Sequence, residues 1–118
     1  MANDPMESRL PLRAADFQIL MLLAEKPMHA YGISKATEDN GPGGVRLEIG
    51  SLYRTLNRLR TDGLLRETET AESGPQNQPR RAYGITDLGR RVAQAEAERL
   101  EAVLAMARDC SFLQETES

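Results

Sequence analysis

The chain has 118 residues and a formal net charge of −3, and its 40% hydrophobic content with 4% aromatics and no Trp suits one compact domain with an aliphatic core. One Cys excludes an intramolecular disulfide framework, and one Cys with one His excludes an ordinary zinc site within one chain. The longest apolar run, Ile19 to Ala24, is too short to span a bilayer and the acidic, polar start is no secretory signal, so a small, soluble, cytoplasmic domain without contact to membranes is expected.

Residues 1–12 read as a flexible N-terminal tail. From about Arg13 to Lys26 the pattern is helical, with Phe17, Leu20, Met21 and Ala24 on one stripe and Ile19, Leu22 and Leu23 on a second. A helix apolar on two sides wants two partners, such as its own core and another subunit. Pro27 stops it. Tyr31 to Asn40 predicts a weaker second helix, with lone His29 before it in a capping or packing role. Gly41-Pro42-Gly43-Gly44 breaks that helix, and the alternation of Val45, Leu47 and Ile49 with Arg46 and Glu48 predicts a very short extended segment.

The clearest helix follows. Gly50 or Ser51 can cap it, Leu52, Leu56 and Leu59 form its core stripe, and Arg54, Asn57, Arg58 and Thr61 occupy the opposite face. Gly63 stands where a left-handed residue ends a helix, with Leu64 placed for the accompanying apolar contact. Leu65–Thr70 and Arg80–Ile85 predict two strands of a hairpin, joined by a turn-rich tip at 71–79. Thr86 is a good N-cap for a last helix of about 25 residues, about 37 Å long, running to about Phe112. Leu88, Val92, Leu100, Val103, Leu104 and Ala107 give this helix an apolar side that one small domain cannot cover, which points to a partner subunit. Met21, Met28 and Met106 read as core filler and Cys110 as a small buried hydrophobe. The resulting fold class is mainly α with a small β-hairpin wing: a winged helix-turn-helix domain over 13–86, a C-terminal dimerisation helix over 87–113, and a tail over 114–118.

Charge is strongly segregated. Residues 46–66 and 80–91 each carry net +3, whereas 67–79 carry −3 and 92–118 carry −4, and thirteen of the fifteen basic residues are Arg. Arg favours bidentate contacts to phosphate and carboxylate. An acidic protein still binds DNA if one face is basic, because the local field acts within a Debye length of about 8 Å. No catalytic constellation is present. The 41–44 segment lacks the Gly-Lys-Ser/Thr of a phosphate loop, and Ser51 sits in no G-x-S-x-G elbow. No enzyme activity, cofactor or metal is therefore expected.

Three blocks in order carry a resemblance to a known family. They are Ile19–Leu23 followed by Met28-His29-Ala30-Tyr31-Gly32-Ile33; Gly50-Ser51-Leu52-Tyr53-Arg54-Thr55-Leu56-Asn57-Arg58-Leu59 with Asp62-Gly63-Leu64-Leu65; and Arg80-Arg81-Ala82-Tyr83-Gly84-Ile85-Thr86-Asp87-Leu88-Gly89. Together they span roughly 14–91, and the chain there resembles the PadR family of bacterial transcriptional regulators. It departs from the family pattern at Ala30, Gly32 and Ala82, which bears on the turn before the second helix and on the packing of the wing.

The resemblance implies a homodimeric repressor that binds an inverted-repeat operator in double-stranded DNA. It makes the Leu52-bearing helix the recognition helix, with Ser51, Tyr53, Arg54, Asn57 and Arg58 as DNA contacts and Arg80 and Arg81 as contacts from the wing. Phe17, Met21, Val92, Leu100, Val103, Leu104 and Ala107 are the expected dimerisation residues. Family members often release DNA on binding a small aromatic molecule near the dimer interface, so an effector is an open option. Its candidate lining at Phe17, Met21, Val103 and Ala107 is also what a plain dimer contact needs, and the Trp pair that sandwiches planar ligands in some members is absent. The alternative is a winged-helix module for protein–protein interaction without DNA binding, which would have little reason to keep Arg54, Arg58, Arg80 and Arg81 together.

Overall fold

The computed structural model describes residues 9–38, 44–73 and 79–112, in the order α1 (Ala14–Glu25), α2 (Ala30–Glu38), α3 (Ile49–Thr61), β1 (Leu65–Ser73), β2 (Pro79–Ile85) and α4 (Asp87–Arg108). The chain is a winged helix-turn-helix: three helices, an antiparallel hairpin and a long last helix. Leu65 pairs with Ile85 and Glu69 with Arg81, and an irregularity follows between Glu69 and Ser73. The expected hairpin tip falls partly on 74–78, outside the described residues.

One aliphatic core joins the elements. Ile19, Leu20 and Leu23 of α1, Ile33 of α2, Leu52, Leu56 and Leu59 of α3, Leu64, Leu65 and Ile85 of the hairpin and Val92 of α4 are buried in a single cluster. The two apolar stripes of α1 do not separate cleanly: Ile19 and Leu23 of one and Leu20 of the other are buried, whereas Met21 is 48% exposed. Lys26, the residue before Pro27, has extended backbone, as the pyrrolidine ring demands of its predecessor, and α1 ends there. Of the three methionines read as core filler, Met28 packs against the cluster, whereas Met21 and Met106 are exposed.

His29 caps α2, its Nδ1 accepting from the Gly32 N–H at 3.0 Å. The segment after α2 differs from the predicted extended strand. Residues 44–48 form no sheet, and Ile49 is already the first residue of α3. Side chains replace the missing strand partner: Gln18 Oε1 accepts from the Val45 N–H at 2.6 Å, Thr37 Oγ1 accepts from the Leu47 N–H at 3.2 Å, and Ser34 Oγ donates to the Leu47 carbonyl at 3.1 Å. Backbone groups without a ladder must be satisfied in this way if they are to be buried. Glu48, not Gly50 or Ser51, stands at the N-cap of α3, and it makes no side-chain cap bond.

The C-terminal end of α3 closes as the sequence predicts. Gly63 has φ +83°, its N–H donates to the Arg60 carbonyl, and the Leu64 N–H donates to the Leu59 carbonyl, both at 3.0 Å. This is the Schellman pattern, and it turns the chain directly into β1. The hairpin is tied back to the helices by paired backbone bonds between Met28 and Tyr83 at 3.1 and 2.8 Å. Ala82, the small residue in the wing, is fully covered.

Thr86 caps α4, accepting from the Gly89 N–H at 2.9 Å and donating to the Gly63 carbonyl at 2.7 Å. A Cβ on Gly89 would collide with the Leu64 carbonyl and stand 2.8 Å from Ile85 Cγ1. The glycine lets α4 start in contact with the end of α3. The helix ends at Arg108, four residues short of the expected point, with Asp109 at its C-cap. Cys110 is exposed there rather than buried, and its thiol donates to the Met106 carbonyl at 3.5 Å.

The expected tail is shorter than 1–12. Leu10 and Leu12 pack against the core, and the Leu12 N–H donates to the buried Glu96 carboxylate of α4. Residues 1–8 and 113–118 lie outside the described residues.

Two predictions follow from this packing. Gly89→Ala forces α4 away from Leu64 and should lower stability by about 1–3 kcal/mol in urea unfolding, the usual cost of overpacking; wild-type stability would refute the close approach. The bonds from Arg99, and secondarily the Leu12 N–H, hold the Glu96 carboxyl below its ordinary range against the opposing effect of burial. The native state therefore binds that proton less readily than the unfolded chain. The resulting stability is complete above the unfolded carboxyl pKa, about 4.3, and is lost as pH falls through the lower folded value. Glu96→Gln should lose less stability than wild type between about pH 6 and about pH 3 in paired urea titrations.

Candidate nucleic-acid interface

The outer surface of α3 follows from how its inner surface is used. Leu52, Leu56 and Leu59 recur at four- and three-residue steps and are at most 1% exposed, so the helix can rotate very little about its axis. At 3.6 residues per turn the opposite side presents Ser51, Arg54 and Asn57, all exposed, with Tyr53 on the flank at 54% exposure. Three of the seven expected DNA-contacting residues, Ser51, Tyr53 and Arg54, thus stand on the N-terminal half of one helix, with Asn57 about a turn further along it. This half of a recognition helix is the part that meets base edges in the major groove.

Their chemistry differs. The Asn57 Oδ1 accepts from Arg60 Nη2 at 2.7 Å. Arg60 was not among the residues singled out from sequence; it also reaches Glu67 of β1 at 3.8 Å. Arg81, on β2, is 78% exposed in its side chain and approaches the same Glu67 carboxylate at 3.5 Å. Glu67 of the hairpin therefore holds one cation from α3 and one from β2. Such exposed pairs contribute little to stability and are readily exchanged for phosphate. Arg80 lies in β2, but its side chain is outside the described set.

Arg58 departs from the expectation. Its guanidinium is turned onto α1, where Nη1 and Nη2 donate to the two Asp16 carboxylate oxygens at 3.0 and 2.7 Å. The side chain of Asp16 is 5% exposed and that of Arg58 39%. The hydrogen bonds that Arg58 donates to Asp16 raise its pKa further, outweighing partial burial. No local pattern marks this pair, because its members are 42 residues apart. Burial also acts on the wing, where it pushes the Tyr83 phenol up, assisted by Glu67.

The expected dimerisation residues divide. Leu100, Val103 and Leu104 are 39, 44 and 47% exposed, with half-buried Ala107 completing the same stripe. Met106 and Phe112, at 68 and 62% exposure, extend the apolar surface near the end of the helix. Phe17 is half-buried, and Met21 is exposed on α1. Val92 does not belong with them: it is fully buried in the chain's own core, because the first turns of α4 lie on α1. Among the described residues there is no group of three His, Cys, Asp or Glu able to hold a metal ion, and no helix long and apolar enough to cross a membrane.

Comparison with known proteins agrees with this geometry. The transcriptional regulator PadR-like family model matches residues 19–95. A 37.1 kDa protein in transposon TN4556 of Streptomyces fradiae is 40% identical over 88 residues, covering 73% of this chain, and the chain spans only 23% of that relative. The crystal structure of a PadR family transcriptional regulator from Eggerthella lenta has 28% identity and a TM-score of 0.61, over 86% of this chain and 80% of that one. Bacillus subtilis PadR, solved in complex with operator DNA, has 19% identity and a TM-score of 0.61, over 70% of this chain and 47% of its own. The three sequence blocks, the winged fold and the family match converge: the chain belongs to the PadR-like family of transcriptional regulators.

Proposed function

We propose that the protein is a cytoplasmic, homodimeric repressor that binds an inverted-repeat operator, with α3 in the major groove and the hairpin wing on the flanking backbone. The observation that carries this reading is the outer face of α3. Ser51, Tyr53 and Arg54 on its N-terminal half and Asn57 about a turn further along are exposed together, while the Leu52, Leu56 and Leu59 stripe is locked in the core. Arg can fork to guanine and Asn can pair with adenine, whereas the hydroxyls of Ser51 and Tyr53 suit phosphate. Arg81, with Arg80 beside it in the sequence, supplies the wing contact. The operator complex of the Bacillus subtilis relative supports the assignment of DNA as partner.

In this reading the dimer forms through Leu100, Val103, Leu104 and Ala107 of α4, with Phe17 and Met21 of α1. Residues 13–86 form the DNA-binding unit and the rest of α4 the dimerisation element. A two-fold axis between the protomers would place the recognition helices about 34 Å apart, one turn of DNA. If a small-molecule effector releases the DNA, Phe17, Met21, Val103 and Ala107 are the candidate lining, and the proposal gives these residues first to the dimer contact.

Fluorescence anisotropy on DNA from upstream of the protein's own gene tests this function. Competitor-resistant binding with a steep salt dependence is expected, and equal weak binding to scrambled DNA would favour a protein-interaction module. Arg54→Ala should cost about 1–3 kcal/mol of specific affinity and relax sequence preference, whereas Arg81→Ala should weaken all duplexes alike and flatten the salt slope by about 1. Val103→Glu with Leu104→Glu should convert the dimer to monomer in sedimentation velocity; an unchanged dimer would remove α4 from the interface.

A further inference from the structure

We propose that Asp16 is a positioning residue for the recognition helix, and that Arg58 serves this tie rather than DNA. The inference rests on the DNA-binding reading of α3.

Three features carry it. First, α3 packs chiefly on α2 and β1, so its connection to α1 depends on side chains that span a gap. Arg58 crosses that gap and meets Asp16 with both terminal nitrogens. A fork-to-fork contact is satisfied only when guanidinium and carboxylate are nearly coplanar, so it constrains orientation as well as distance.

Second, the carboxylate end of the tie is rigid. Asp16 lies in the first turn of α1, one turn before Ile19 and Leu20, both fully buried. The backbone just before it is held on both sides. Arg9 Nη2 donates to the Asp62 carbonyl at the end of α3 at 3.1 Å, and the Leu12 N–H donates to the buried Glu96 of α4. The stretch from 9 to 16 therefore acts as a strut between the long last helix and the C-terminal turns of α3.

Third, the alternative position of Arg58 is next to the DNA-reading surface. Arg54 is one turn earlier on the helix and exposed. A groove of about 280 Å³ lined by Arg9, Leu12, Arg13 and Asp62 lies over the pair, which leaves Arg58 partly open although Asp16 is not. Without Asp16, Arg58 would be a mobile cation beside Arg54, able to reach phosphate of any sequence. The carboxylate thus has two effects on binding. It sets the angle of α3, which favours the operator, and it withholds one charge per protomer from indiscriminate phosphate contact.

The two effects predict a signature that a merely structural residue would not give. Full-length wild type, D16N, R58K and R58Q would be titrated onto operator and scrambled duplexes by anisotropy across a salt series, with circular dichroism melts alongside. D16N should bind the operator about tenfold more weakly, the loss of roughly one base contact. On scrambled DNA it should bind at least as tightly as wild type, with a salt slope steeper by about 1 per protomer. R58Q should lose operator affinity without flattening the slope, and the double variant D16N/R58Q should lose no more operator affinity than the worse single variant.

If D16N does not hold its fold at the assay temperature, R58K carries the test, since it keeps the charge and removes only the fork. It should lose operator discrimination with its slope unchanged. A slope flattened by about 1 in R58Q, or operator discrimination retained by D16N or R58K, would overturn the proposal and return Arg58 to the DNA surface. Wild type that does not discriminate between the duplexes would instead overturn the DNA-binding reading itself, and this inference with it.

Discussion

Burial of the Leu52, Leu56 and Leu59 stripe is the constraint on which the rest of the molecule depends. All three side chains are within 1% of complete burial in the same cluster as Ile19, Leu20, Leu23 and Ile33. Exposing any of them by rotating α3 would forfeit several kilocalories, since removing a single buried Leu side chain typically costs about 2–5 kcal/mol. The helix therefore has one allowed rotation. Once it is fixed, the positions of Ser51, Arg54 and Asn57 on the outer side are not free variables. Their exposure is a consequence of the core, and a recognition surface that does not reorganise on binding loses less entropy in the complex.

The end of α3 shows how one short run of residues sets two further elements. Gly63 takes the left-handed conformation and Leu64 drops into the core, so β1 leaves the helix in a defined direction. The hairpin returns at Thr86, whose hydroxyl bonds both the Gly63 carbonyl and the first turn of α4. The third helix, the hairpin and the last helix thus share one corner, and the absence of a side chain at Gly89 lets them meet there. Movement of α4 relative to the rest would be felt at this corner and along the strut from Leu12 to Asp16. Both connect the surface proposed for the dimer to the surface proposed for DNA.

The polar groups in the interior are few and specific. Gln18 and Thr37 hold the segment before α3, Asp16 holds Arg58, and Glu96 is bonded by Arg99 and the Leu12 N–H. Each replaces a backbone ladder or a helix contact that the small sheet cannot provide. Breaking one partner of such a pair leaves a desolvated group behind, so these residues specify the arrangement more than they stabilise it.

The sequence by itself determined the order of elements, the core stripe of α3, the glycine at its end, the Thr86 cap and the family. Each depends on residues within about one or two helical turns of one another, where spacing and local chemistry are decisive. Helical periodicity also placed Arg54 and Asn57 opposite the core stripe of α3 and Leu100, Val103 and Leu104 on one apolar side of α4, whereas Ser51 and Tyr53 entered through the family resemblance. Only the tertiary structure decided that Val92 belongs to the core, that Leu10 and Leu12 pack rather than trail, and that 44–48 is held by side chains instead of a strand. Only the structure assigned Arg58 to Asp16. An exposed Arg on a helix face looks the same in sequence whether it faces solvent or a carboxylate from a distant helix, and periodicity carries no information about a partner 42 residues away.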